Sequence, residues 1–187
     1  MTIYNGLIGL FWFIFLIVWI VSSFSAKKTV GRSGGWLWVR VLVVIFAFFL
    51  FRSQIFRWLG PYDAAVVGNP ELHLFGVILC GAGIAFAIWA RVYLGKNWGM
   101  PMSIKENPEL VTSGPYTYVR HPIYTGMLFA MLGSVFASGL EWLVPLALFA
   151  AYFLRSAEKE EELMAKQFPD QYPAYKHKTK MLVPFIY

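Results

Sequence analysis

The sequence predicts an all-α integral-membrane protein of about five transmembrane helices, and three observations carry that reading. Of its 187 residues 58% are hydrophobic and 14% charged, whereas a soluble domain carries about a quarter charged residues. Two uninterrupted apolar stretches are long enough to cross a bilayer. The lysines and arginines collect between the apolar runs.

Tyr4 to Phe24 is a run of 21 residues without a charge, the length of one bilayer crossing. Nothing cationic precedes its core and that core is too long for a secretion signal, so it is expected to stay as an anchor. Trp36 to Leu50 is a second span, bracketed by Arg40 and Arg52, and Glu71 to Ala90 is a third, interrupted by His73. Pro122 to Ser138 and Trp142 to Leu154 make a fourth and fifth, each short against the usual length of about 20 residues. Only Gly139, Leu140 and Glu141 separate them, which predicts a tight helical hairpin with Glu141 at its turn.

Orientation follows from the basic residues. Lys27, Lys28 and Arg32 lie after the first span, Arg91, Lys96, Lys105 and Arg120 after the third, and the tail after the fifth is rich in lysine. The positive-inside rule then places the N-terminus outside and the C-terminus in the cytoplasm, as five spans require. The net charge of +6 suits loops beside anionic headgroups and does not imply nucleic acid. A lone cysteine, Cys80, permits neither a disulfide framework nor a zinc site, and no metal site is expected. The glycines at Gly81 and Gly83 lie within a span, without the strand and turn of a dinucleotide fingerprint; close helix packing accounts for them.

Residues 1–187 read as one domain, with a helical scaffold over 1–60 and polar chemistry gathered in 70–187. From Ala90 to Tyr124 runs a segment punctuated by Pro101, Pro108, Pro115 and Pro122, more suited to a pocket wall than to a tether. It ends in "GPYTYVRHPIY". Pro122 fits the first turn of a helix and biases His121 toward extended backbone, so the histidine stands at the mouth of the fourth span. The free N–H groups of that helix end favour an anion. By themselves, Arg120 is an ordinary topology determinant and Tyr116, Tyr118 and Tyr124 an interfacial belt.

A second polar cluster follows the fifth span. Arg155, Glu158, Glu161 and Glu162 fall at helical spacing, with Leu154, Glu158, Glu161 and Ala165 expected on one face. A solvated helix with surface ion pairs explains the pattern, but the helix leaves the membrane at the depth of Arg120 and His121, where ionisable groups are a functional hypothesis.

In "LVTSGPYTYVRHPIYTG" (Leu110 to Gly126) and "EEELMAKQFPDQYPAYKHKTKMLVPFI" (Glu160 to Ile186) the chain resembles the isoprenylcysteine carboxyl methyltransferase family, within a wider group that includes phospholipid N-methyltransferases. "RVYLGKNWG" is a weaker upstream match. Pro169 stands where the family commonly has glycine, and the run Glu160, Glu161, Glu162 replaces two adjacent glutamates.

The resemblance implies an integral-membrane enzyme that uses S-adenosylmethionine, held at the cytoplasmic face by the C-terminal half, and a lipophilic acceptor arriving from the bilayer. It implies that His121 meets the cofactor carboxylate and Glu160 or Glu161 its ammonium or ribose, with Pro122, Tyr124 and Leu163 against adenine. Tyr118 and Gly126 complete the expected cofactor-binding set. Arg155, then Arg120, is expected to orient a carboxylate acceptor, or to brace the pocket against Glu160. A carboxylate acceptor needs no base at neutral pH; an amine needs one from Glu160, Glu161 or His121. Carboxyl methylation of an isoprenylcysteine-like substrate comes first among the expectations. The alternatives are methylation of an ethanolamine phospholipid or a small thiol, and a non-catalytic binding or assembly role.

Overall fold

The computed structural model describes residues 3–24, 29–32, 69–98, 103–105 and 109–183. Helices dominate: α1 (Ile3–Ser23), α2 (Pro70–Leu94), α3 (Pro122–Ser138), α4 (Leu143–Gln167) and a short α5 (Tyr172–Lys178). Three helical stretches, Ile3–Ser23, Pro70–Asn97 and Leu140–Gln167, are long and apolar enough to cross a membrane, and Pro122–Ser138 is a shorter apolar helix. These features make the chain an integral-membrane protein. The expected span Trp36 to Leu50 lies outside the described residues.

The structure adds one non-helical element to the all-α expectation. β1 (Thr29–Arg32) pairs antiparallel with β2 (Ser103–Lys105), in the register Thr29 to Lys105 and Arg32 to Ser103. Such pairing satisfies backbone N–H and C=O groups of the two strands.

α1 turns Ile8, Trp12 and Phe15 inward at helical spacing and leaves Phe13, Ile17 and Ile20 exposed, as expected of a helix with one face on protein and the other on lipid. Asn69 caps α2 by accepting from the Glu71 and Leu72 amides, with Pro70 in the first turn. α2 runs one turn past the expected Ala90, to Leu94, and stops at Gly95, whose φ of 55° ends the helix.

α2 and α3 are locked by small residues. A Cβ on Gly83 would stand 2.5 Å from the Ala130 amide nitrogen and 2.6 Å from the Gly126 carbonyl, and one on Gly126 would stand 2.6 Å from the Gly83 carbonyl. Gly76 and Gly133 repeat the arrangement one heptad along. Apolar transfer gives no drive between helices already in lipid, so backbone proximity and van der Waals packing hold such seams. Gly126, expected among the cofactor-binding residues, packs its Cα side against Gly83 and Ala87 of α2. Gly83 takes the packing role anticipated for it, while Gly81 faces Phe11.

Polar ties join α1 to both helices of the seam. Trp12 Nε1 donates to Ser134 Oγ at 3.0 Å, and Ser134 Oγ donates to the Ala130 carbonyl at 2.8 Å, joining α1 to α3. Arg91 is buried; it donates to the Gly95 carbonyl at 3.0 Å and to the Ser22 carbonyl at the end of α1, with its guanidinium 4.3 Å from the centre of Trp98. A 3₁₀ turn over Leu140–Trp142 links α3 to α4 after Gly139, so the tight hairpin with Glu141 in its turn is as expected. α4 then continues without a break to Gln167, carrying the acidic residues out on the helix that spans the apolar layer.

Candidate functional site

Two segments far apart in sequence meet at the end of the bundle where α3 begins and α4 leaves its apolar half. The tail after α5 is strapped along the corner that precedes α3. Val119 and Lys180 form a parallel bridge. The Arg120 amide donates to the Lys180 carbonyl at 2.8 Å, the His121 amide to Met181 at 3.1 Å, and Thr125 Oγ1 to Leu182 at 2.6 Å. His121 is the N-cap position of α3 and Pro122 its first residue, as the motif predicts.

This strap aims Arg120 and His121 at α4. Arg120 Nε donates to Glu161 Oε1 at 2.6 Å, and its guanidinium also donates to the Lys176 carbonyl at 3.2 Å and to the Thr179 carbonyl. Lys176 Nζ pairs with the other oxygen of Glu161 at 2.7 Å. Glu161 is therefore a buried carboxylate, 3% exposed, held between two cations. His121 lies between both acids, with Nδ1 3.5 Å from Glu160 Oε2 and Nε2 3.6 Å from Glu161 Oε1. Tyr124 Oη donates to Glu160 Oε1 at 2.6 Å. The rings of His121 and Tyr124 stack with centroids 5.4 Å apart, and Tyr124 stacks on Phe153 at 4.4 Å. Glu160 keeps a quarter of its side chain exposed.

Burial works against a charged His121, but hydrogen bonds and Coulomb attraction from Glu160 and Glu161 outweigh it and hold the imidazole above its ordinary pKa. Burial pushes Tyr175 up to about 12, so its phenol stays protonated and donates to the Tyr116 carbonyl at 2.8 Å. Below the cluster the tail borders a cleft of about 420 Å³ lined in part by Thr117, Tyr175, Lys178 and Thr179.

Arg120, His121, Pro122, Tyr124, Glu160 and Glu161 are thus gathered within one cluster or its first helical turn. Four other expected positions stand differently. Arg155 is exposed and makes no described contact with the cluster, because α4 turns Phe153, Ala157 and Glu161 inward instead. Tyr118 is 55% exposed beside Trp89, ring centroids 6.4 Å apart, as in an interfacial aromatic pair. Gly126 is packed on α2, and Leu163 is half-buried. Leu154, Glu158, Glu161 and Ala165 lie on the unbroken helix α4 at the expected spacing, and along them Glu161 is buried while Glu158 and Ala165 are exposed. Arg120 braces Glu161 rather than Glu160.

Lys176, Thr179 and Phe153 were not foreseen. A lysine in a basic tail and a phenylalanine in an apolar span carry no distinguishing local signal; only the strap and the ring column single them out.

Among the described residues no three His, Cys, Asp or Glu side chains group to hold a metal ion. For an organic group the site has suitable features: a partly exposed carboxylate at Glu160 and the N-terminal end of α3 at His121 and Pro122.

Residues 72–171 match the family described as phospholipid methyltransferase. Over 101 residues the chain is 31% identical to the protein-S-isoprenylcysteine O-methyltransferase of Schizosaccharomyces pombe, covering 52% of this chain and 43% of that protein. It is 29% identical over 166 residues to a cobalt-zinc-cadmium resistance protein of Cupriavidus metallidurans, covering 88% of this chain and 67% of that one. A nickel-cobalt-cadmium resistance protein of Alcaligenes xylosoxydans is 26% identical over 167 residues, at 88% and 68% coverage. The chain spans about two thirds of the resistance proteins and less than half of the yeast protein.

Proposed function

The chain belongs to the phospholipid methyltransferase family, and from that premise we propose that it transfers a methyl group from S-adenosylmethionine to a lipophilic acceptor at the membrane boundary. One observation carries the reading: the Arg120–Tyr124 corner and the Glu160–Glu161 pair converge where α3 and α4 leave the apolar layer. The residues present suit the cofactor. The N-terminal end of α3 and the polar rim of the cluster offer contacts to its charged groups. When bound, the cofactor supplies a methyl group already activated on sulfonium.

The arrangement favours an amine acceptor over the carboxylate expected first. Arg120 and Lys176 are committed to Glu161, and Arg155 is exposed. Glu160, fixed by the Tyr124 hydroxyl and facing His121, is placed to take the proton that an amine sheds as its nitrogen is methylated. Proton transfer of this kind contributes about 10²–10⁴-fold. Orientation of donor and acceptor by the surrounding helices supplies the remainder.

The test is transfer of labelled methyl from S-adenosylmethionine, in native membranes, to an ethanolamine phospholipid, a prenylcysteine and a small thiol. We expect the phospholipid to be labelled, and Glu160→Gln to lose at least about a hundredfold in rate. Preferential labelling of the prenylcysteine, lost in Arg155→Ala, would restore the carboxyl reading. A second reading, a non-catalytic role in metal tolerance, is favoured by the two resistance proteins matched over 88% of the chain. It is supported if Glu160→Gln leaves metal tolerance intact while methyl transfer is absent. The lysine distribution is the ground for a proposed cytoplasmic site, and a thiol-reactive probe is expected to label Lys178→Cys only after the membrane is opened.

A further inference from the structure

The cleft below the cluster has no part in methyl transfer as proposed. One wall is a face of α5, with Gln171, Ala174, Tyr175 and Lys178 spaced i, i+3, i+4, i+7 from its N-cap, and Thr179 beyond them. The other wall is Leu110, Thr112 and Thr117. This second wall is anchored to α2 and the turn that follows it. Tyr93 Oη and Ser113 Oγ are 2.8 Å apart, Gly114 lies against the Tyr93 ring, and Asn97 Nδ2 donates to Glu109 at 3.3 Å. α5 leads instead into the strap, so the cleft separates a fixed wall from the segment that holds Arg120.

The lining chemistry is one-sided. The hydroxyls of Thr117, Tyr175 and Thr179 already donate to the Gly114, Tyr116 and Tyr175 carbonyls. The side chains of Thr112, Gln171 and Lys178 hydrogen-bond to no described residue, and among the described lining residues Lys178 is the one charged group. An ammonium, a hydroxyl and an amide with uncommitted donors match the oxygens of a phosphate. The volume of about 420 Å³ falls within the range of about 300–1,000 Å³ for small-molecule sites. It leaves room beside a phosphate for an organic body against Leu110, Ala174 and the Tyr175 ring.

We propose that this cleft is a second binding site, for a small phosphate ester, whose occupant bridges Thr112 to Lys178 and holds α5 against the cluster. Lys178 lies between Lys176 and Thr179, whose carbonyls accept from Arg120. A ligand that contacts both walls therefore favours the conformation in which Arg120 braces Glu161. Its coupling to the cofactor rests on the methyl-transfer reading; its binding does not. Thr117 adjoins Tyr118 of the interfacial pair with Trp89, so a soluble ester and a lipid headgroup of the same chemistry both reach the cleft.

The experiment titrates the full chain in phosphatidylcholine nanodiscs with glycerol 3-phosphate, with sodium chloride at matched ionic strength as control. A second arm places dioleoylphosphatidic acid in the nanodisc. Heat of binding, the thermal unfolding midpoint and Kd for S-adenosylhomocysteine are measured. At least one phosphate is expected to raise the midpoint and to tighten S-adenosylhomocysteine binding about fivefold. A response to glycerol 3-phosphate alone assigns a soluble ester, and a response to phosphatidic acid alone a headgroup. Lys178→Gln and Thr112→Val should each abolish that response and leave Kd for S-adenosylhomocysteine in its absence unchanged; Thr112→Val keeps every charge, so a general effect of surface charge survives it. Binding of neither phosphate, an equal response to sodium chloride, or a response that survives Thr112→Val overturns the proposal, and binding without any change in S-adenosylhomocysteine affinity overturns the coupling. If a phosphate binds and both variants lose it, but S-adenosylhomocysteine never binds, the methyl-transfer reading falls and the cleft keeps its ligand.

Discussion

Glu160 and Glu161 are adjacent in the chain and meet different surroundings. Glu161 is buried against Arg120 and Lys176, and removing one partner of such a cluster leaves uncompensated buried charge at a cost of about 3–5 kcal/mol. Glu161→Gln is expected to lower the thermal unfolding midpoint markedly, whereas Glu160→Gln should change it little and chiefly abolish turnover. Equal stability losses in the two variants would contradict this division. His121 makes a pH-dependent contribution whose sign follows from its raised pKa. The stabilisation is fully present below the ordinary value of 6.5 and is lost as pH rises through the higher folded value. Thermal melts of the wild type should therefore fall on the alkaline side, and His121→Gln should lack that limb.

At the scale of elements, the α2–α3 seam fixes where the mouth of α3 stands. A methyl group at Gly83 or Gly126 meets backbone at 2.5–2.7 Å, and backbone cannot yield as a flexible side chain can. Gly83→Ala and Gly126→Ala should each destabilise by about 1–3 kcal/mol, measured by thermal unfolding in detergent. Because the seam carries His121 and Tyr124 with it, cofactor affinity should fall in the Gly83 variant too, although Gly83 touches no residue of the cluster. Unchanged stability in Gly126→Ala would show that its close contact with α2 is dispensable. The longer helices were legible in sequence: Pro122 and Gly139 mark both ends of α3, while the start of α2, read at Glu71, is set one residue earlier by the Asn69 cap. The pairing of β1 with β2 was not, since four and three residues joined across more than seventy positions leave no periodic trace.

For the whole molecule, the decisive contact is between its C-terminal strap and the corner before α3. Lys180, Met181 and Leu182 engage it through their backbone carbonyls, which any side chains could supply, and this is why the sequence shows the corner and the acids but not what joins them. Removing residues 168–187 should leave membrane insertion intact while abolishing S-adenosylhomocysteine binding, because Arg120 loses the Lys176 and Thr179 carbonyls and Glu161 loses Lys176. Retained affinity in the truncated chain would show that the strap is dispensable.

Composition and hydrophobic run length by themselves determined that the chain enters a membrane as helices, because transfer into lipid depends on local apolarity and length. The motifs around His121 and Glu160 determined its family. Only the tertiary structure decided which members of the acidic run turn inward. Glu160 and Glu161 face the cluster while Glu162 pairs outward with Lys159 at 3.0 Å, and no local preference separates three consecutive glutamates. It also left Arg155 outside the cluster and Gly126 inside the seam, since the rotation of a helix about its axis is set by the neighbours it packs against.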